Sequence, residues 1–314
     1  MPTVYLTYPS EMVVGVFMHL KLASLILTLA CFSNSHASLI SNQSNPEVIY
    51  GTDDRLDVFE SSDSLMKKIA KSTAALVYND NLSQDGDNLL LSDKTLQEFG
   101  GLCTSERFVK QMTAARCSGF LVSPDTIVTA GHCIYSVNSC DYQSWIFDYA
   151  NTTEEKESFT FNKDQVYHCV KILERQKDEE NMNDFAVLKL DRPVTGRAPL
   201  KYRTAGKIPD DAVLTVIGHP SGTPVKISSA ADLRDNSNPI YFVTNADTFG
   251  RNSGSAVVNS RTGIIEGILV RGDQDFTHSE TAACNVSVKH DIDGGRGEEV
   301  TRITNIKFLT KKRN

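Results

Sequence analysis

Thr129-Ala130-Gly131-His132-Cys133 is the stretch on which the reading of this chain turns. A short strand-like run, Thr126–Thr129, enters a turn of small residues, and the turn delivers a histidine beside a cysteine. Histidine is the side chain whose unperturbed pKa places a base near neutrality. Downstream, Asn183-Asp184-Phe185-Ala186-Val187-Leu188-Lys189-Leu190 sets an acid at the head of an apolar strand. Further on, Gly250-Arg251-Asn252-Ser253-Gly254-Ser255 sets a serine in a glycine-bounded turn. A serine hydroxyl is a weak nucleophile that needs a base within hydrogen-bond reach, and the base needs a group to orient it. His132 as base, Asp184 as orienting acid and Ser253 as nucleophile fill those roles. The amide N–H groups of Arg251 and Ser253 are the candidate oxyanion hole. Asp164, Glu179 and Asp191 compete with Asp184, but none heads an apolar strand in the same way. His168 and His219 read as structural, the latter inside the turn Gly218-His219-Pro220-Ser221-Gly222.

Bulk properties narrow the function class. The 314 residues suffice for one large domain or two small ones, and 40% hydrophobic with 23% charged residues can build an ordinary core. A net charge of −7 argues against nucleic-acid binding, which needs a basic face. Lys21, the apolar run Leu22–Phe32 and the small-x-small site Ser35-His36-Ala37 read as a signal peptide, residues 1–37, with Met18 as an alternative start. The run is too short for a spanning helix, so stable membrane insertion is not expected. Cys31 would leave with that segment. Six cysteines then remain, Cys103, Cys117, Cys133, Cys140, Cys169 and Cys284. An even number in an exported chain suggests disulfides. Nothing has zinc spacing, so neither metal nor other cofactor is expected.

Along the chain, residues 38–71 read as a linker or pro-segment and an N-terminal arm. From Ser72 onward, short apolar runs alternate with turn chemistry: Ala74–Tyr78, Cys117–Val122, Thr126–Thr129, Val166–Leu173, Phe185–Leu190, Val213–Gly218, Ile240–Thr244, Ser255–Val258 and Ile264–Val270. Asp93–Phe99 and the tail Glu298–Leu309 are the helical windows. This is the pattern of an all-β barrel or sandwich. Two prolines and a glycine in Asp191–Pro199 break the strands into two β-units, 72–195 and 196–314, the second carrying the C-terminal tail. His132 and Asp184 fall on the first unit and Ser253 on the second.

His, Asp, Ser is the chain order of the chymotrypsin-type triad. Thr129-Ala130-Gly131-His132-Cys133, with Cys117-Ser118-Gly119 upstream, resembles the chymotrypsin-family serine proteases. Asn252-Ser253-Gly254-Ser255 is similar to the bacterial glutamyl-endopeptidase-like branch, and Val48-Ile49 with Asp53-Asp54-Arg55 resembles its mature start. Together these stretches span Val48 to Gly272. The resemblance implies a chymotrypsin-like double β-barrel with the site between the barrels, and a secreted or periplasmic serine endopeptidase acting on protein or peptide substrates. It also implies a Cys117–Cys133 disulfide bracing the histidine loop. The other four cysteines stay open; Cys140 with Cys169 and Cys103 with Cys284 is one of the three ways to pair them. Oligomeric state is not legible.

Two departures from that family matter, at Arg251 and Leu269. Arg251 stands where the family has glycine, which leaves an inactive, protease-like binding protein as the rival reading. Leu269 stands where the glutamyl-specific enzymes carry a histidine. Asn252 carries no charge for the N-terminal amine pairing that activates trypsin-like precursors, so activation would remove the segment between Ala37 and Val48. Asp247, six residues before Ser253, occupies the place of a trypsin-like specificity acid. With Thr248, Leu269 and Arg271 it forms the expected substrate pocket and favours cleavage after Arg or Lys; pairing of Asp247 with Arg251 or Arg271 is the alternative, under which acidic residues are read instead. An α/β-hydrolase esterase is excluded because Arg251 and Ser255 break the Gly-x-Ser-x-Gly elbow.

Overall fold

The strand Thr73–Tyr78 reads Thr-Ala-Ala-Leu-Val-Tyr, apolar on both faces rather than alternating. Successive strand side chains point to opposite faces. Here both faces are covered: Ala74 and Leu76 enter one core, Ala75 and Val77 another. The same division recurs in the second half, where Ala256 and Val258 face the first of these cores and Val257 faces a third. Continuous apolar runs follow from this double burial. The computed structural model describes residues 48–311; the expected signal peptide and residues 38–47 lie outside them.

Two seven-stranded sheets carry the fold. The first runs, edge to edge, Val166–Tyr167, Gln143–Phe147, Thr73–Tyr78, Cys117–Ser123, Thr126–Thr129, Asp184–Leu190, Cys169–Lys177, each pair antiparallel. The second runs Val213–Gly218, Ala256–Asn259, Ile265–Arg271, Glu298–Arg302, Tyr241–Thr244, Lys226–Asp235, and Val213–Gly218 pairs back onto Lys226–Asp235. That closing pair makes a six-stranded barrel, which removes its open edges. A shared core joins the halves: Phe120, Val128, Trp145 and Phe185 from the first sheet meet Ile217, Val258 and Ile268 from the second, all essentially without exposure. Each such side chain contributes about 1.5–3 kcal/mol by burial, so the two barrels dock firmly.

The N-terminal arm joins the sheets. Arg55–Asp57 pairs antiparallel with Lys226–Ser228 and extends the second sheet, and Ile49–Tyr50 pairs in parallel with Lys289–His290. The tail also differs from expectation. Glu298–Arg302 is a central strand between Ile265–Arg271 and Tyr241–Thr244, and only Lys307–Thr310 is α-helical. Two ladder partners outweigh the weak helical pattern. Val166–Leu173 divides at His168 into strands of different pairing. The helical window near Asp93 forms as Leu96–Gly100, opened by a Thr95–Glu98 capping box and closed by Gly101 at φ +60°.

All six cysteines among the described residues pair: Cys117 with Cys133, Cys140 with Cys169, and Cys103 with Cys284. The last bond ties the segment after Leu96–Gly100 to the hairpin Phe276–Ser279/Cys284–Ser287.

A buried polar knot fastens the arm. Lys226 Nζ donates to Asp57 Oδ1 at 2.7 Å, Gln111 Oε1 at 2.7 Å and Pro224 O at 2.9 Å. Gln111 Nε2 donates to Asp57 Oδ2 at 2.8 Å, and Asn151 Nδ2 shares Oδ1 with Lys226 at 3.1 Å. Burial pushes the Lys226 ammonium down to about 8, against the pull of Asp57. Removing one partner of such a pair strands a charge, whereas replacing both by apolar groups is often nearly neutral. Asp57→Ala is therefore expected to cost about 3–5 kcal/mol, and Asp57→Leu combined with Lys226→Met much less. Urea denaturation midpoints measure both; equal losses in the two variants would contradict the account.

Candidate active site

His132 sits in a one-turn 3₁₀ helix, Gly131–Cys133, directly after the strand Thr126–Thr129. Glycine at 131 is a steric requirement, because a Cβ there would lie 2.0 Å from Gln176 O and 3.0 Å from Asp184 Oδ1. The close approach lets Asp184 grip the histidine twice: Oδ1 accepts the His132 backbone N–H at 3.0 Å, and Oδ2 lies 2.8 Å from Nδ1. Arg175 Nε donates to Gly131 O at 2.8 Å and steadies the turn from the neighbouring strand. The imidazole is 28% exposed and the carboxylate only 5%, so Asp184 is shielded and His132 reaches solvent.

Burial works against the Asp184 anion. The His132 ring hydrogen bond and charge, its backbone N–H and Arg271 outweigh burial and hold the carboxyl below the ordinary value. Arg271 Nη1 lies 3.9 Å from Asp184 Oδ2, while its Nε pairs with Glu299 at 2.7 Å and its Nη2 donates to Met182 O at 3.0 Å.

The serine turn is clamped against the histidine turn. Ser253 O accepts from Ser118 N at 2.8 Å, and the Cys133 sulfur lies 3.7 Å from the same carbonyl oxygen. Gly254, at φ +90°, packs so tightly that a Cβ would come within 2.1 Å of Ser118 O and 3.1 Å of Ala130 N. His132 and Ser253 thus occupy adjoining turns from the two barrels.

Arg251 resolves the departure noted at that position. It takes the glycine-like backbone itself, with φ +71°. Such a conformation costs a non-glycine residue about 1–3 kcal/mol. Its side chain offsets this: the guanidinium lies 3.8 Å from the Phe99 ring centroid and Nη1 donates to Thr113 O at 2.7 Å. The preceding residue is fixed on both sides. Gly250 N donates to both Asp275 oxygens, at 3.0 and 2.9 Å, and Gly250 O accepts from Ser221 N at 2.7 Å. On a trans peptide this turns the Arg251 N–H away from Ser221. Among the described residues, neither the Arg251 nor the Ser253 N–H has an acceptor. Asn252 is buried, and its Oδ1 accepts from Ser255 Oγ at 2.7 Å.

The expected substrate pocket requires correction. Asp247 is 3% exposed, and its carboxylate accepts from Tyr50 N at 2.7 Å and Asp54 N at 2.9 Å. It pairs with neither Arg251 nor Arg271, and it is no free pocket carboxylate: it holds down the N-terminal arm. Burial pushes it upward, with Asp54 alongside adding to the effect. Leu269 is packed in the core of the second barrel, and Arg271 is committed as described. Thr248 Oγ1 donates at 2.6 Å to Glu298, a carboxyl with no exposure that sequence patterning did not single out. Burial raises Glu298 well above the ordinary carboxylate value. It heads a strand that read as helix, so nothing marked it as interior.

His219 is structural, as expected: 1% exposed, Nδ1 3.0 Å from Thr223 O, stacked on Tyr149 at 5.6 Å, and pushed down to about 3 by burial. Cys117, His132 and Cys133 lie close together, but the two sulfurs are bonded to each other and are not thiolate ligands.

Comparison with known proteins bears on this geometry. No curated protein matches the chain. Among solved structures, a Glu endopeptidase is 17% identical, with 83% of this chain and 97% of that one covered and a TM-score of 0.44. The VesB protease of Vibrio cholerae is 16% identical, with 82% and 65% covered and a TM-score of 0.48. A serine endoprotease from Yersinia pestis is 13% identical, with 79% and 66% covered and a TM-score of 0.44. Residues 117–268, which run from the cysteine before the histidine turn to the strand behind the serine turn, match the family described as the trypsin-like peptidase domain. The chain carries a trypsin-like peptidase domain and is, by that domain, a serine endopeptidase.

Proposed function

We propose that this endopeptidase is exported and cleaves peptide bonds through an acyl-enzyme on Ser253. His132 takes the Ser253 hydroxyl proton as the oxygen attacks the scissile carbonyl. The imidazolium then gives that proton to the leaving amine, which departs as the C–N bond breaks. Water repeats the sequence on the ester and regenerates the serine. Asp184 holds the imidazole by Nδ1 and stabilises its charged form. The N–H groups of Arg251 and Ser253 stabilise the oxyanion. One observation carries this reading: a doubly anchored His132–Asp184 pair adjoins a serine turn that holds two amides without internal acceptors. Three disulfides fit an oxidising compartment, secreted or periplasmic.

Active-site labelling tests the nucleophile. A serine-reactive fluorophosphonate is expected to label the wild type stoichiometrically and to leave Ser253→Ala unlabelled at an unchanged melting temperature. Persistent labelling of that variant would move the nucleophile elsewhere; an unlabelled wild type would favour the inactive, binding-protein reading.

Asp184→Asn separates orientation from stability. Losing the correct tautomer is expected to lower kcat by about 10⁴. The variant also tests pH dependence. Asp184 has a depressed folded pKa, so its stabilising contribution is present above the ordinary carboxylate pKa, about 3.9, and is lost as pH falls through the folded value. Between about pH 5 and pH 2, the range in which that loss sets in, the urea midpoint of the wild type should fall more than that of Asp184→Asn. Parallel decreases would mean that the carboxylate is not held ionised by its partners.

A further inference from the structure

Two guanidinium groups flank the serine turn without an acid to neutralise them. The chain holds 39 acidic against 32 basic residues, so unpaired cations are against the odds. Arg251 lies over Phe99 at 3.8 Å and Arg116 over Tyr78 at 4.2 Å. Among the described residues neither has a carboxylate within 4.0 Å. Burial and the neighbouring charge of Arg116 hold Arg251 below its ordinary pKa. The acid it does sense, Asp93, is occupied by Asn81 Nδ2 at 2.6 Å and by Lys94 N at 2.7 Å.

One strip of chain places both groups. Thr113 O receives Arg251, Ala115 N donates to Gly222 O at 3.0 Å, and Arg116 N donates to Leu76 O at 2.8 Å. Cys117 is bonded to Cys133 beside His132, and Ser118 N reaches Ser253 O. Arg116 therefore lies one residue from the disulfide that braces the base, and Arg251 two residues from the nucleophile. In the reaction above, His132 protonates the leaving amine, so the substrate residues that follow the cleaved bond pass on the His132 and disulfide side. Stacking on aromatic rings fixes each guanidinium and leaves N–H groups to donate.

We propose that Arg116 and Arg251 form a subsite for an acidic side chain, Asp or Glu, at the first or second substrate residue after the scissile bond. A carboxylate there would receive charge-assisted hydrogen bonds and relieve the mutual repulsion of the two cations. The subsite rests on Ser253 acting as nucleophile. It is separate from whatever reads the residue before the cleaved bond.

Internally quenched peptides test it, with the residues before the cleavage point fixed and Asp, Asn, Glu, Gln or Lys at the first and second positions after it. Enzyme is quantified by fluorophosphonate titration. Expected is a kcat/KM about tenfold higher for Asp or Glu than for the matching amide, about 1.4 kcal/mol, at one of the two positions. The ratio should shrink between about 0.05 and 0.5 M salt, where screening shortens. It should vanish in Arg116→Gln and persist in Arg116→Lys. Arg251→Gly, which suits the positive φ, should also abolish the ratio. Equal rates for acid and amide, a preference for Lys, or a preference that survives in Arg116→Gln combined with Arg251→Gly would each overturn the subsite. If those results come from enzyme that labels normally, only the subsite fails; if the wild type does not label, the nucleophile assignment fails with it.

Discussion

Ser118 commits all of its polar groups to holding the two barrels in one register. Its N–H donates to Ser253 O, its carbonyl accepts from Thr129 Oγ1 at 2.7 Å, and its hydroxyl accepts from His219 N at 2.9 Å. The first bond reaches the serine turn, the second the strand that delivers the histidine, and the third the turn that fixes Gly250. A buried serine with every group paired is rigid, and leaving any one of these groups unpaired would cost about 1–3 kcal/mol. The groups of the proposed mechanism, Asp184, His132, Ser253 and the Arg251 and Ser253 amides, come from both barrels, and this residue touches both the serine turn and the strand that leads to the histidine turn. Rate falls steeply when such groups drift by an ångström. One shared anchor is how two separately folded sheets meet that tolerance.

Around this anchor the molecule tolerates conformations that would be costly alone. Arg251 adopts a positive φ in place of a glycine. The cation–aromatic contact with Phe99 and the bond to Thr113 O hold it there. Gly250 leans on Asp275, a carboxyl that burial pushes up to about 8. Arg271 joins Asp184 to Glu299, which makes the Asp184 carboxylate part of a network rather than a single contact. The positive φ at Arg251 is thus held from outside the serine turn, by Phe99 of the Leu96–Gly100 helix and by Thr113 O.

Local chemistry was legible in the sequence where a residue type had one use. Gly131 and Gly254 marked turns, and the strand ahead of His132 and the strand headed by Asp184 were visible as apolar runs. Strands became illegible where exposure and pairing, rather than pattern, fix the state. Gln143–Phe147 and Lys226–Asp235 carry polar residues that are satisfied only in the fold, and Glu298–Arg302 looks helical until two neighbouring strands flank it. The same limit applied to Asp247. An acid six residues before a nucleophilic serine has the right address for reading substrate, but its hydrogen bonds run to Tyr50 and Asp54, nearly two hundred residues away in the chain. No local pattern announces a partner at that distance.

The arm has a consequence for the order in which the protein can be completed. Ile49–Tyr50 pairs with Lys289–His290, and Tyr50 N is held by Asp247. Residues near the start of the described chain are seated by residues made almost at its end. A ribosome releasing the chain from its N-terminus would free the first sheet to form early, since its strands span only 73–190. The second barrel must wait for its last strand, and the arm must wait with it. Long-range closures of this kind are slow. The serine turn lies inside the late half, so a partly made chain can set His132 against Asp184 before Ser253 is seated.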